Sequence, residues 1–227
     1  MSLIQNSWLR VVSIPMSQSI WYYIGMNEIE SLVQRYPNLV DCQAEVVRAY
    51  EVLLTCFRGG HKVLVCGNGG SAADAEHICG ELLKKFKRHR VIPPAIAEKL
   101  PSELAGKLEG SLPAISLVSM SGIASAVAND VSWDTAFAQQ ALGLAEAGDV
   151  LLTLSTSGNS RNCVAASQVV QAKGGKVVAL TGARESALSA LADVTIRVPA
   201  METYQIQELH LPVYHALCSA VEAAIFG

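Results

Sequence analysis

Five short apolar runs recur along the chain, at 63–66, 113–118, 150–154, 176–180 and 194–198, each ending in small or polar residues. Their apolar positions are consecutive rather than alternating, which predicts strands buried on both faces. The segments between them, at 72–87, 122–128, 133–145, 161–173 and 186–191, carry apolar residues at three- and four-residue steps. Strands and helices alternating at this length predict an α/β three-layer sandwich: a five-stranded parallel sheet with helices on both faces, flavodoxin-like in layout but without a nucleotide. Ahead of the first strand, 27–57 is helical with a break at Pro37, and Leu39, Cys42, Val46, Tyr50, Leu53, Leu54 and Phe57 line one side up to Gly59-Gly60. Such a stripe requires a partner, either a like helix of another subunit or the final helix at 204–226, in which Pro212 predicts a kink or a turn.

Two strand-to-helix junctions carry chemistry. The run VLLTLSTSGNS, 150–160, passes from a strand into small hydroxyl and amide side chains, with Gly158 allowing close backbone approach and Ser160 at the N-cap position of the next helix. KVLVCGNGGSA, 62–72, repeats the arrangement with Asn68, Gly69, Gly70 and Ser71. In a parallel sheet both loops lie at the carboxyl edge, where a helix N-terminus holds an anion such as phosphate. The glycines fit a loose GxGxxA, but the region where a dinucleotide site places its acidic residue reads KKFKRHR, and no GK[ST] follows to make a P-loop. Two Ser/Asn/Gly loops suit a monophosphate and several hydroxyls, which describes a sugar phosphate.

Composition narrows the field further. Seventeen basic against 20 acidic residues give a net charge of −3, so no basic field for nucleic acid exists. Six cysteines, at 42, 56, 66, 79, 163 and 218, show neither CxxC nor zinc-finger spacing and read as reduced core residues of a cytosolic protein. The stretch 1–25 is apolar only in pieces, broken by Arg10, Pro15 and 17–19, with no cleavage signal and no membrane-length run. It is expected to be an appended arm, with the domain proper at 26–227 and Met26 as an alternative start. Residues 88–112, with Pro93, Pro94 and Pro101, are expected to form an insertion, and the basic run before it a solvated helix end ahead of any phosphate-binding role.

GNGGSAADAEHICGEL, the AND at 128–130, STSGNS and IQELHLPVYH stand in one order along the chain. Together they resemble the sugar isomerase (SIS) domain family, specifically the phosphoheptose isomerases. The resemblance covers about 26 to the C-terminus. It implies an aldose–ketose isomerase converting sedoheptulose 7-phosphate to D-glycero-D-manno-heptose 7-phosphate through an enediol. It also implies a cytoplasmic homotetramer with active sites shared between subunits, one zinc ion at each site, and no role for nucleic acid or membrane. By motif position it assigns substrate binding to Asn68, Gly69, Gly70, Ser71, Asn129, Asp130, Ser155, Thr156, Ser157, Ser160 and Gln207. Metal binding and catalysis go to His77, Glu81, Gln207 and His215. Two departures bear on sugar specificity: the insertion, and Tyr204, which stands where the family commonly has Asp.

The residue types suit that chemistry. Aldose–ketose isomerisation moves a proton between adjacent carbons, which calls for a base over the carbon and an acid or metal at the oxygens. Glu81 is the candidate base and His215 the candidate acid or partner, since imidazole titrates near neutrality. His77 and Glu81 stand four apart on one helix. Gln207 and His215 stand eight apart on another, on the order of 80° around it. His210 is expected to back the site residues or to lie at an interface, and His61 and His89 to be surface residues. The main rival is a non-catalytic sugar-phosphate-binding relative of the replication-initiation adaptor type, which would lack counterparts of Glu81 and His215. A hexose or pentose phosphate isomerase is a second rival, and a sugar-phosphate-responsive regulator would need an added DNA-binding domain.

Overall fold

The computed structural model describes residues 16–227, with side chains from Tyr23 onward. Strands β1 (Val63–Gly67), β2 (Ala114–Ser116), β3 (Val150–Leu154), β4 (Lys176–Thr181) and β5 (Val194–Arg197) form one all-parallel sheet in the order β2-β1-β3-β4-β5. This is the layout that the five apolar runs predict. Both faces of the sheet are covered, because successive strand residues feed two separate cores. Val63, Val65, Val150, Leu152, Leu154, Val178 and Leu180 point into one, with α1 (Met16–Arg35), α2 (Gln43–Arg58), α3 (Gly70–Leu83) and α10 (Thr203–Phe226). Leu64, Cys66, Leu151, Val177 and Ala179 point into the other, with α7 (Ala136–Leu144), α8 (Arg161–Ala172) and α9 (Ala187–Leu191). The remaining helices among the described residues are two single turns, α4 (Pro94–Ala97) and α5 (Ser102–Ala105), α6 (Ser121–Asp130), and the 3-10 helices Pro37–Cys42 and Trp133–Thr135.

Helix α1 runs unbroken through position 26, and Ile29 and Leu32 on it are fully buried. Residues 1–15 of the expected arm lie outside the described residues. The partner of the α2 stripe is within the same chain: α2 packs on α10 and on the β5 side of the sheet. α10 has the length and hydropathy of a membrane span, yet 72% of that apolar window is buried inside the fold. Its apolar character therefore answers to the domain core. Pro212 sits inside an unbroken α10 and marks no turn. All six cysteines are free and buried.

The basic run departs from expectation. α3 stops at Leu83, and the chain from Lys84 leaves the helix instead of extending it to 87. Arg90 is fully buried, its Nε 2.8 Å from Glu222 Oε1, its Nη1 donating to the Leu82 carbonyl at 2.5 Å and its Nη2 to the Glu81 carbonyl at 2.8 Å. Glu222, also fully buried, accepts the backbone N–H groups of Phe86, Lys87 and Arg88 at 2.8, 2.8 and 3.1 Å. One arginine thus caps the last carbonyls of α3, and its partner holds the loop that follows. Lys87 and Arg88 pair with Glu28 on α1, and Lys85 pairs with Glu109, so these cations are committed within the fold. Beyond Arg90 the expected insertion leaves Val91, Ile96, Leu104 and Leu108 exposed and rejoins the core at Leu112.

Candidate active site

Strand β1 stands between β2 and β3, so the chain winds one way from β1 and the other way from β3. The crevice at such a reversal, beyond the carboxyl ends of the strands, is where open α/β sheets hold ligands. Gly67 and Leu154, the last residues of β1 and β3, are in register, so the two predicted loops leave the sheet side by side.

The second loop is held by its own backbone. Ser155 N–H donates to Leu180 O at 3.0 Å, Gly158 N–H to Ser155 O at 2.9 Å, and Gly182 N–H to Thr156 O at 3.0 Å. Gly158 has φ +65°, and a Cβ there would run into the Ser186 hydroxyl. Ser155 Oγ and Ser160 Oγ are 2.9 Å apart; Ser160 occupies the N-cap position of α8, but its hydroxyl makes no capping bond. Thr156, Ser157, Asn159, Met201, Thr203 and Ile206 line a cavity of about 240 Å³ beside the loop. Two larger hollows, of about 570 and 600 Å³, border α2 and contain none of the predicted residues.

The first loop is tied to the second by a residue that the sequence reading passed over. The amides of Asn68 and Asn162 bond reciprocally at 2.9 and 2.8 Å, and Trp133 Nε1 donates to Asn68 Oδ1 at 3.4 Å. Asn162 is buried in the first turn of α8, so the pair forms a strut between the loops. Ser71 is buried in the first turn of α3, while Gly69 and Gly70 are exposed. Asn129 and Asp130 are exposed at the end of α6, where the Asn129 amide donates to Asp130 Oδ1 at 2.8 Å.

Helix α10 reaches over both loops. Ile206 lines the cavity, and Gln207 lies so close to Gly70 that a Cβ there would stand 2.5 Å from Gln207 Nε2. Two turns further on, His215 meets α3: its Nε2 is 3.5 Å from His77 Nε2, which is 3.1 Å from Glu81 Oε1. A single chain therefore brings His215, His77 and Glu81 together, and the meeting does not need a second subunit. His77 is 42% exposed and Glu81 16%, so the cluster opens to solvent through His77. Phe86 packs on the His215 ring at 5.3 Å. Burial pushes the His215 imidazole down from its ordinary value, the neighbouring His77 adds to this, and Glu81 opposes it. Tyr214, beside His215, donates to Asp74 Oδ1 at 3.1 Å, and burial with the adjacent Asp74 raises its phenol above the ordinary value. Burial also raises Asp74, partly offset by that hydrogen bond. His210 is fully buried with Nε2 3.3 Å from the Thr181 carbonyl, and burial pushes it down to about 4, as suits an interior residue.

The donor set suits zinc in kind, two imidazole nitrogens, a carboxylate and an amide oxygen. Ligands on a tetrahedral zinc with bonds of about 2.0–2.1 Å stand about 3.3–3.4 Å apart. The separations of 3.1 and 3.5 Å bracket that edge. The set is an open line, His215–His77–Glu81, with Gln207 held against Gly70. Among the described residues, no three His, Cys, Asp or Glu side chains close into a cage.

An SIS domain model matches residues 119–226 and a second SIS domain model matches 29–111. The phosphoheptose isomerase of Shewanella oneidensis is 40% identical over 184 residues, 80% of this chain and 84% of the relative. That of Shewanella baltica strain OS155 gives the same figures. Among solved structures, phosphoheptose isomerase GmhA from Neisseria gonorrhoeae is 31% identical, with 91% of this chain and 95% of that one covered at a TM-score of 0.66. A phosphoheptose isomerase from Francisella tularensis is 30% identical, with 92% and 98% covered at 0.69. With family models matched over 29–111 and 119–226 and this level of identity across most of its length, the chain belongs to the SIS-domain family, on its phosphoheptose isomerase branch.

Proposed function

We propose that this isomerase interconverts sedoheptulose 7-phosphate and D-glycero-D-manno-heptose 7-phosphate. The loops at 68–71 and 155–160 would bind the phosphate and the nearby hydroxyls, with Asn129 and Asp130 contributing to the sugar chain. Glu81 would carry the proton between the two carbons, and His215 would exchange a proton with the oxygens. His77, Glu81, Gln207 and His215 are proposed to hold one zinc ion per site, which would supply Lewis-acid polarisation of the carbonyl. The observation that carries the reading is the line of His215, His77 and Glu81, at 3.5 and 3.1 Å. It lies on the helix that starts at the first glycine loop and on the helix that crosses both loops. The adaptor-type rival has no use for this line. The same reading makes the protein a cytoplasmic homotetramer; six reduced, buried cysteines support a reducing compartment.

Incubation of the purified protein with sedoheptulose 7-phosphate and a panel of shorter ketose phosphates tests the substrate. The heptose phosphate should form fastest, and a preference for a shorter sugar would reassign it. Ser155→Ala with Ser157→Ala should raise KM on the order of tenfold or more by removing two hydroxyl contacts of about 1 kcal/mol each. An unchanged KM would move the phosphate off this loop.

A further inference from the structure

The Tyr214 hydroxyl touches two groups, Asp74 Oδ1 at 3.1 Å and His77 Nδ1 at 3.0 Å. A phenol has one proton to give. Were it given to His77, the Asp74 carboxylate would face the phenolic lone pairs at 3.1 Å with nothing between them. Given to Asp74, it leaves the contact with His77 satisfied only if Nδ1 bears hydrogen and donates to the phenolic oxygen. In a neutral imidazole that makes Nε2 a bare lone pair 3.1 Å from Glu81 Oε1 and 3.5 Å from His215 Nε2. These acceptors meet on the open side of the cluster, where water or a cation can come between them, whereas an acceptor pair at the fully buried phenol has no such relief. We propose that Tyr214, backed by Asp74, is a positioning residue that fixes His77 as its Nδ1–H tautomer and so presents Nε2 to the site as an acceptor.

The surroundings favour a fixed relay. Asp74 precedes His77 by three residues on α3, so both lie on one face of that helix. Tyr214 is fully buried, and its ring meets those of His77 and His215 edge-on at 5.5 and 4.9 Å. The phenol cannot swing away without disturbing both imidazoles. The outward hydrogen bond of a metal-binding histidine sets which nitrogen is free for the ion, and losing its acceptor typically weakens metal binding about 10–100-fold. This inference rests on the proposed reading of the His77–Glu81–His215 line, but its test needs no substrate.

The test uses full-length protein with histidine labelled in ¹⁵N, in wild type, Tyr214→Phe and Asp74→Asn forms. At a pH where the imidazoles are neutral, wild-type His77 should show hydrogen on Nδ1 alone. Tyr214→Phe should lose that single tautomer while still unfolding in one cooperative step, and its zinc affinity, measured by competition with a chelating indicator, should fall about 10–100-fold. Asp74→Asn, which keeps the phenol and folds independently of the outcome for Tyr214→Phe, should show a mixed tautomer. Wild-type His77 with hydrogen on Nε2, or a variant pair that leaves the tautomer unchanged, overturns the proposal. A wild-type chain without isomerase activity, but with the Nδ1–H tautomer, would sink the functional reading and leave this one standing.

Discussion

Glu81→Gln is expected to lower kcat by about 10²–10⁴, the contribution of a positioned general base, or about 3–5 kcal/mol of transition-state stabilisation. Sugar-phosphate affinity should stay within a few-fold of wild type, because the phosphate is assigned to the loop at 155–160 and not to α3. The two effects separate because Glu81 is about three turns into α3, well beyond the first loop, and its side chain faces His77. Glutamine keeps the shape of that side chain and one acceptor oxygen but cannot take a proton. Steady-state kinetics together with calorimetric binding of the sugar phosphate measure both quantities. A Glu81→Gln variant with near-normal kcat would remove Glu81 from the base role, and one that no longer binds substrate would place Glu81 in the phosphate pocket.

The largest expected effect on stability comes from the buried pair. Arg90→Met should cost about 3–5 kcal/mol, since it leaves the fully buried Glu222 carboxylate without its cation, takes the guanidinium donor from the Glu81 carbonyl and leaves the Leu82 carbonyl only the Leu112 N–H. For a chain of this size that is a fall in Tm on the order of 10 °C. Arg90→Met with Glu222→Met should recover only part of the loss. Exchanging a buried pair for apolar groups is often neutral, but here the N–H groups of Phe86, Lys87 and Arg88 would lose their acceptor as well. Thermal unfolding of the two single variants and the double variant reads the coupling directly. A single variant within about 1 kcal/mol of wild type would contradict the structure's account of this pair.

The sheet was legible because its signal is local. Runs such as VLVC and VLLTL are apolar at consecutive positions, and a strand flanked by helices on both faces needs no more than that. The loops were legible for the same reason, their glycines, serines and asparagines being adjacent in the chain. What escaped was set by distant partners. KKFKRHR carries five cations and reads as a solvated helix end, yet Arg90 goes inside because Glu222, 132 residues away, is there to receive it. Nothing near position 90 announces that acceptor. Asn162 follows the STSGNS loop and reads as ordinary helix, and only the adjacency of β1 and β3 turns its amide toward Asn68. Tyr214 was hidden by its neighbour: in VYH the eye goes to the histidine, while the tyrosine meets Asp74 across α3, 140 residues back. The extent of α1 escaped for a plainer reason, since the aromatic and small residues after Pro15 carry a weak helical pattern.

The most direct measurement of the central claim is hydrogen exchange with solvent during turnover. In D₂O, wild-type protein supplied with sedoheptulose 7-phosphate should yield an aldose product with deuterium on the carbon next to the carbonyl, and Glu81→Gln should slow label and product together by about 10²–10⁴. Product formed without any deuterium would contradict proton transfer through an exchangeable carboxylate. Labelling at near-wild-type rate in Glu81→Gln would show that the proton is carried by another group.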